Sequence, residues 1–172
     1  MADISAIFFI LLIIGVAFPA MLTAWWLLFP SVVERARLRV ERTPMQSFWM
    51  GLVIVIAVAV PTVILFALPF GPAKFTGWIL LAASLALSTV GSAGIAAHLG
   101  ARLARRSNFT ALSGFVRGSV VLELAAFFPV LGWFFVWPLL LITAFGATGF
   151  ALLNWVPRTS VVRTTETLIP QA

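Results

Sequence analysis

Few residues of this chain could do chemistry, and Glu123 is the first of them. It is the only acidic residue well inside an apolar run. A charge at that depth costs a few kcal/mol on insertion scales, so an intramembrane carboxyl is a functional candidate. Arg117 lies six residues earlier, about 9 Å along a helix and too far for an i,i+4 ion pair. Glu123 is therefore either structural, being protonated or paired with another arginine such as Arg102, or part of a small transporter or channel.

His98 is the only histidine, and the chain has no cysteine. It could ligate a chlorophyll or haem shared with another subunit, although a histidine near a membrane interface is more often simply hydrogen-bonded. A bis-histidine haem is excluded, and a zinc site needs more ligands than the chain offers. The sequence contains no nucleophile–base pair, Walker loop or metal-ligand cluster. We expect no enzyme activity, and the cofactor is unknown, with a pigment or a lipid as the candidates.

The composition indicates an integral membrane protein. The 172 residues are 62% hydrophobic and 9% charged, which is more apolar surface than a soluble domain of this length can bury. A net charge of +6 could indicate nucleic-acid binding in a soluble protein. Here the arginines gather in the connectors between apolar runs, which indicates membrane orientation and no nucleic-acid partner.

The apolar runs predict a single all-α domain, a transmembrane bundle of four or five membrane segments. The predicted boundaries are about 4–29, 48–70, 78–100, 111–128 and 134–155, followed by a tail at 157–172. The stretch 119–156 is too long for one span and short for two. Pro129 and Gly132 favour a hairpin there, and a single kinked helix is the alternative.

The first basic connector, 30–47, predicts a short interfacial helix at about 32–42. Ser31 and Glu34 have capping-box spacing, and Pro44 should end the helix. An apolar stripe along one face predicts that the helix lies in the bilayer surface. Leu38 lies on the polar side and could touch a soluble partner or fold into lipid. Predicted contacts to lipid headgroups or a partner are Arg35, Arg37, Leu38, Arg39, Arg42, Arg102, Arg105 and Arg106.

The arginines also predict an orientation. Connectors 30–47 and 101–117 carry four arginines each, whereas the connector between them carries only Lys74. By the positive-inside bias both basic connectors are cytoplasmic and the N-terminus is outside. We expect the inner or photosynthetic membrane of a prokaryote.

Small residues at four-residue spacing predict close helix packing on two segments. Two interpretations stay open: these faces pack against each other within the chain, or one of them docks a partner subunit or a second copy. The residues are Ser84, Ser88, Ser92, Ala96, Gly100, Gly146 and Ala147.

The run Leu27–Leu52 resembles the start of the membrane domain attached to bactofilin-type polymer-forming proteins. There, an apolar helix ends in Phe-Pro, a basic helix containing Val-Glu follows, and Pro-x-x-Ser with a glycine opens the next helix. The ending PVLGWFFVWPLLLITAFGA is similar to the closing hairpin of the same domains. The matching positions are Phe29, Pro30, Val33, Glu34, Pro44, Ser47, Gly51, Pro129, Gly132, Trp133, Gly146 and Ala147.

The resemblance implies a membrane anchor or scaffold without catalytic residues. The soluble β-helical polymerising domain of those proteins would add repeats, and this sequence has none. We therefore expect a non-catalytic membrane subunit or anchor, in contact with lipids and with other membrane subunits or itself. The alternatives are a cofactor-supporting subunit of a photosynthetic or respiratory complex and a small transporter using Glu123.

Overall fold

The computed structural model describes residues 2–105 and 110–153, and the predicted all-α fold is confirmed. The tail at 157–172 and Arg106 lie outside the described residues. The π-helical segment Gly132–Val136 leads directly into α6. The α-helices are α1 Ala2–Leu28, α2 Pro30–Arg42, α3 Pro44–Ala67, α4 Gly71–Ala104, α5 Ala111–Phe127 and α6 Trp137–Leu152.

Within the described residues, four helical stretches are long and apolar enough to cross a membrane. The protein is therefore a membrane-embedded, multi-pass chain. The predicted segment at 111–128 corresponds to α5, which has only 17 residues and runs back along α4. The spans are Ser5–Leu28, Pro44–Ala67, Gly71–Ala104 and Gly132–Leu152.

Prolines lie at the start of several helices and shift several predicted boundaries. Pro30, Pro44 and Pro72 each lie in the first turn of their helix, where the missing N–H costs nothing and the fixed φ suits the helix. α2 and α3 thus begin earlier than predicted, and α4 begins at Gly71 rather than at 78. The predicted capping box is wrong, because α2 starts at Pro30 and Ser31 lies inside its first turn.

The ambiguous stretch 119–156 forms a hairpin and not one kinked helix. α5 ends at Phe127, Phe128 is extended, and Val130 has a φ of 65°, a conformation that β-branched residues rarely adopt. A Cβ at Gly132 would meet the backbone carbonyls of Ala125 and Ala126. The absence of a side chain there therefore allows the chain to fold back tightly.

The bundle is built around α4, which contacts all five other helices. Gly100 lies against Gly114 of α5, and a Cβ at Gly91 would meet the backbone of Ala144 in α6. In lipid no hydrophobic drive pulls helices together, so contacts of this kind hold a bundle by van der Waals packing. α1 is attached more loosely, because it contacts the rest of the bundle less extensively than any other α-helix described.

Candidate functional site

The apolar stripe of α2 packs against other helices of the chain, which corrects the prediction that this stripe lies in the bilayer surface. Val33 and Ala36 are completely buried. A Cβ at Gly94 of α4 would come within 2.6 Å of the Ala36 Cβ. On α6, Ala147 and Ala151 close the other side of the same cluster. The sequence predicted that lipid covers this stripe. In the structure its small residues pack against the small residues of α4 and α6 instead.

Arg39 lies on the inner face of α2, where it is buried and does not reach lipid headgroups. Its side chain is 7% exposed, and its guanidinium carbon lies 4.3 Å from the centre of the Phe150 ring. Burial lowers the pKa of Arg39 from its ordinary value. A guanidinium stacked on an aromatic face in a desolvated place makes a favourable cation–π contact. Arg39 therefore fastens α2 to α6.

Charged groups tie α2 to the end of α4. Arg37 donates two hydrogen bonds to Glu34, at 2.9 Å from Nε and 2.6 Å from Nη2, and the bond to Glu34 raises the pKa of Arg37. Glu41 lies 3.8 Å from both Arg37 and His98 Nδ1, and 3.9 Å from Arg105. Through these longer contacts the Glu41 carboxylate connects α2 with the end of α4.

His98 thus faces a carboxylate of its own chain. Its ring is mostly enclosed, with 14% of the side chain exposed, and Nδ1 points toward Glu41. Among the residues at 2–105 and 110–153, no three His, Cys, Asp or Glu side chains are grouped to hold a metal ion. A ligand role for His98 toward a pigment or haem stays a prediction.

The other predicted contact residues lie nearer the surface. Arg42 and Arg102 are exposed, and the Arg105 side chain is 76% exposed. Arg35 is half-buried and donates from Nε to the Ser31 carbonyl oxygen at 3.0 Å. Leu38 is half-buried as well.

The predicted small-residue faces pack inside the chain. A Cβ at Gly118 of α5 would meet the Ala96 carbonyl, and one at Gly146 would meet the backbone of Ser47 in α3. Ser84, Ser88 and Ser92 are also buried. Both faces therefore pack within the chain, as the first interpretation proposed, but Gly100 and Gly146 meet α5 and α3 rather than each other.

Sequence reasoning missed the α3 side of this packing. Gly51 opposes the backbone of Ile142 and Gly146, and Ser47 is completely buried. Ser47 and Gly51 have the same four-residue spacing as the α4 row, so the signal was present. It was overlooked because Ser47 lies just before the predicted start of the span at 48 and Gly51 lies just after it.

Glu123 is buried between α1 and the α4–α5–α6 core. It is 5% exposed, and its Oε1 has no hydrogen-bond partner among the described residues. The suggested pairing with Arg102 is wrong. Gly100 lies beside Gly114, which leaves Glu123 about 14 Å along α5 from that level. Arg117 is exposed on α5.

Two cavities meet Glu123. One of about 280 Å³ is lined by α1, α4, α5 and α6, including Ser88, Ser92 and Trp137. The other, of about 240 Å³, lies beside Gly15 of α1. Both are almost entirely apolar, so Glu123 is the chief chemical feature of this region.

The comparisons add no relative to these observations. The chain matches no protein-family model, no curated protein and no solved structure. The resemblance to the membrane domain of bactofilin-type proteins therefore stays a prediction.

Proposed function

We propose that the protein is a non-catalytic integral membrane subunit or anchor, and that α2 is its rigid docking surface for a partner subunit. The observation that carries this proposal is the fixing of α2 onto α4 and α6. Ala36 fits against Gly94, and Arg39 stacks on Phe150. A connector that only sets orientation needs charge, but it does not need close packing against two other helices.

The remaining surface of α2 supports the proposal. Its outer side carries Arg42 and Glu34, which are exposed, and the half-buried Arg35 and Leu38. The small-residue faces pack within the chain, so the arginine connectors are the better candidates for partner contacts. Rigid, pre-organised surfaces bind with a lower entropic cost than mobile loops do.

The proposal includes an orientation. Connectors 30–47 and 101–117 lie in the cytoplasm of a prokaryote, and the N-terminus lies outside, because both connectors are arginine-rich. Cysteine labelling tests this at two exposed positions, Ser31 and Lys74. Ser31→Cys should react with an impermeant reagent only after the membrane is opened, and Lys74→Cys should react in intact cells. The reverse pattern would overturn the orientation.

Affinity purification in a mild detergent, followed by mass spectrometry, tests the function. We expect the same membrane or cytoplasmic partner in repeated preparations. The double variant Arg35→Glu with Arg42→Glu should lose it, because the charge of the outer face is reversed. Lys74→Glu, a single reversal in the second connector, is the control and should retain the partner. A protein that purifies alone and monodisperse would contradict the proposal.

The two alternatives have less structural support. The cofactor-supporting role needs Nε2 of His98 to face a pigment or haem, yet only 14% of the His98 side chain is exposed. A transporter needs polar residues along a path, and the cavities beside Glu123 are almost wholly apolar. A visible absorption spectrum of the purified protein tests the first alternative, and flux through Glu123→Gln tests the second.

A further inference from the structure

The larger cavity beside Glu123 has the size and the walls of a small-molecule site. It holds about 280 Å³ between α1 and the core helices. An apolar cavity of about 150 Å³ is known to stay dry and to bind benzene. The cavity here is nearly twice as large, which corresponds to about two fused rings.

Glu123 gives this apolar cavity one polar group with unused hydrogen-bonding capacity. Its Oε1 is buried and has no partner among the described residues, although a buried polar atom left unpaired costs about 1–3 kcal/mol. Within the part of the chain that the structure describes, no lysine or arginine lines the cavity. Without a cation, a carboxyl in this setting is best accommodated as the neutral acid, which adds an O–H donor.

The hydroxyl groups in the same wall already donate elsewhere. Ser88 donates to the Leu85 carbonyl at 2.8 Å, and Thr89 donates to the Ala86 carbonyl at 2.6 Å. Ser92 donates to the Ser88 carbonyl at 3.1 Å. Among the carboxyl and hydroxyl groups of the described wall, Glu123 is therefore the available donor, and a ligand that satisfies it brings an acceptor oxygen.

We propose that this cavity binds an uncharged, apolar molecule about two rings in size, whose carbonyl oxygen accepts a hydrogen bond from Glu123. The wall formed by α1 has the least contact with the rest of the bundle, and Gly15 has open space beside it. A lipid-soluble molecule can therefore enter sideways from the bilayer. The carbonyl can belong to a ring ketone or to a lipid ester, and the experiment separates these sources.

The test uses menadione, a two-ring diketone, added to the full-length protein in nanodiscs. Trp137 lines the cavity, so binding is read as saturable quenching of its fluorescence, and Trp137→Phe removes the local signal. The hydrocarbon 2-methylnaphthalene, measured by displacement of menadione, should bind about five- to tenfold more weakly because it lacks the acceptor.

Variants at Glu123 test the hydrogen bond. Glu123→Gln keeps an N–H donor and should retain menadione, whereas Glu123→Met should weaken its binding five- to tenfold and remove the preference over the hydrocarbon. Equal binding of both compounds to wild type and Glu123→Met would overturn the proposal and leave a non-selective apolar void. Loss in both variants would also overturn it, since it would point to a charged carboxylate.

Filling the cavity tests its location with a matched pair. Ala126 is buried in the cavity wall, and its neighbour Ala125 is exposed. Ala126→Leu should abolish binding, and Ala125→Leu should leave it unchanged. Circular dichroism and size-exclusion chromatography confirm that both fold. Unchanged binding in a folded Ala126→Leu protein would place the ligand elsewhere and overturn the proposal.

Native mass spectrometry separates the two sources of the carbonyl. A retained mass that menadione displaces supports the site, and extraction then identifies it as a ketone or an ester lipid. A retained lipid that persists in Glu123→Met would overturn the role of the carboxyl. This proposal is independent of docking through α2, because the cavity can bind its ligand whether or not a partner is found.

Discussion

The two sides of the α4–α6 core are built on different rules. On the side of α3, glycines bring backbones into contact, as Gly51 does with Ile142 and Gly146 does with Ser47. Apolar cavities occur on both sides. Those on the side of α1 meet the buried carboxyl of Glu123, whereas those on the side of α3 have no charged residue in their walls among the described residues. Both sides consist of apolar helices in lipid, where only packing and hydrogen bonding distinguish a close contact from a loose one.

The comparison indicates that stability and ligand binding depend on different sides of the core. A helix pair without room for a Cβ has one arrangement and cannot open without losing its contacts. A helix that leaves cavities beside a buried polar group has less to lose when it moves. We infer that the α3 side holds the bundle together and that the α1 side is free to bind.

The largest expected effect comes from adding a side chain where backbones touch. Gly146→Leu places its Cβ against the Ser47 backbone, and a backbone atom cannot rotate away. We expect α3 and α6 to separate, at a cost of about 3 kcal/mol in the free energy of unfolding. Thermal unfolding followed by circular dichroism in detergent measures the loss.

Gly15→Leu is the matched control on the α1 side. A Cβ at Gly15 has no heavy atom within 4 Å, and leucine favours the helix more than glycine does. Its unfolding temperature should be unchanged or higher. If both variants lost the same stability, the contrast between the two sides would be wrong.

A smaller effect, of opposite sign, is expected at Glu123. Replacing the unpaired carboxyl with methionine removes a buried polar group that lacks a partner. Glu123→Met should therefore stabilise the protein, when no ligand is present, by about 1–3 kcal/mol. The same variant should bind menadione more weakly, so stability and binding should move in opposite directions.

Leu122→Met, one position away, is the control for this substitution. Leu122 is buried in the main hydrophobic cluster, and exchange of leucine for methionine is nearly neutral in volume. It should give little change or a small loss of stability. A destabilised Glu123→Met protein would mean that the carboxyl holds α1 in place, which would remove the proposed division between the two sides.

How far the sequence predicts these features depends on the kind of interaction. Apolar length and four-residue spacing predicted the bundle, the hairpin and the α4 packing face, because both reflect the demands of lipid on a helix. Glu123 stood out because a lone carboxyl is costly at that depth. Local patterns were sufficient in each case.

The parts that failed depend on contacts between distant segments. The stripe of α2 looks the same whether lipid or protein covers it, so burial of Ala36 and Arg39 was not foreseen. Nothing near Arg39 in sequence points to Phe150, which is 111 residues away by number. The cavity beside Glu123 likewise depends on how four helices meet, which residue spacing does not fix.

The smallest expected effect concerns α2, which packs on α4 and α6 between the two sides compared above. It tests whether ion pairs or close packing hold α2 in place. Glu41 lies 3.8–3.9 Å from Arg37, His98 and Arg105, distances longer than a charge-assisted hydrogen bond, and Glu41 is itself exposed. Glu41→Gln should lower the free energy of unfolding by less than about 1 kcal/mol. The loss should fade in about 1 M salt, where screening extends to only about 3 Å. Unfolding measured at low and high salt checks both expectations. A large loss that persists at high salt would show that Glu41, rather than the fit of Ala36 against Gly94, holds α2. The attachment of α2 would then be electrostatic, in contrast to the close packing of α3.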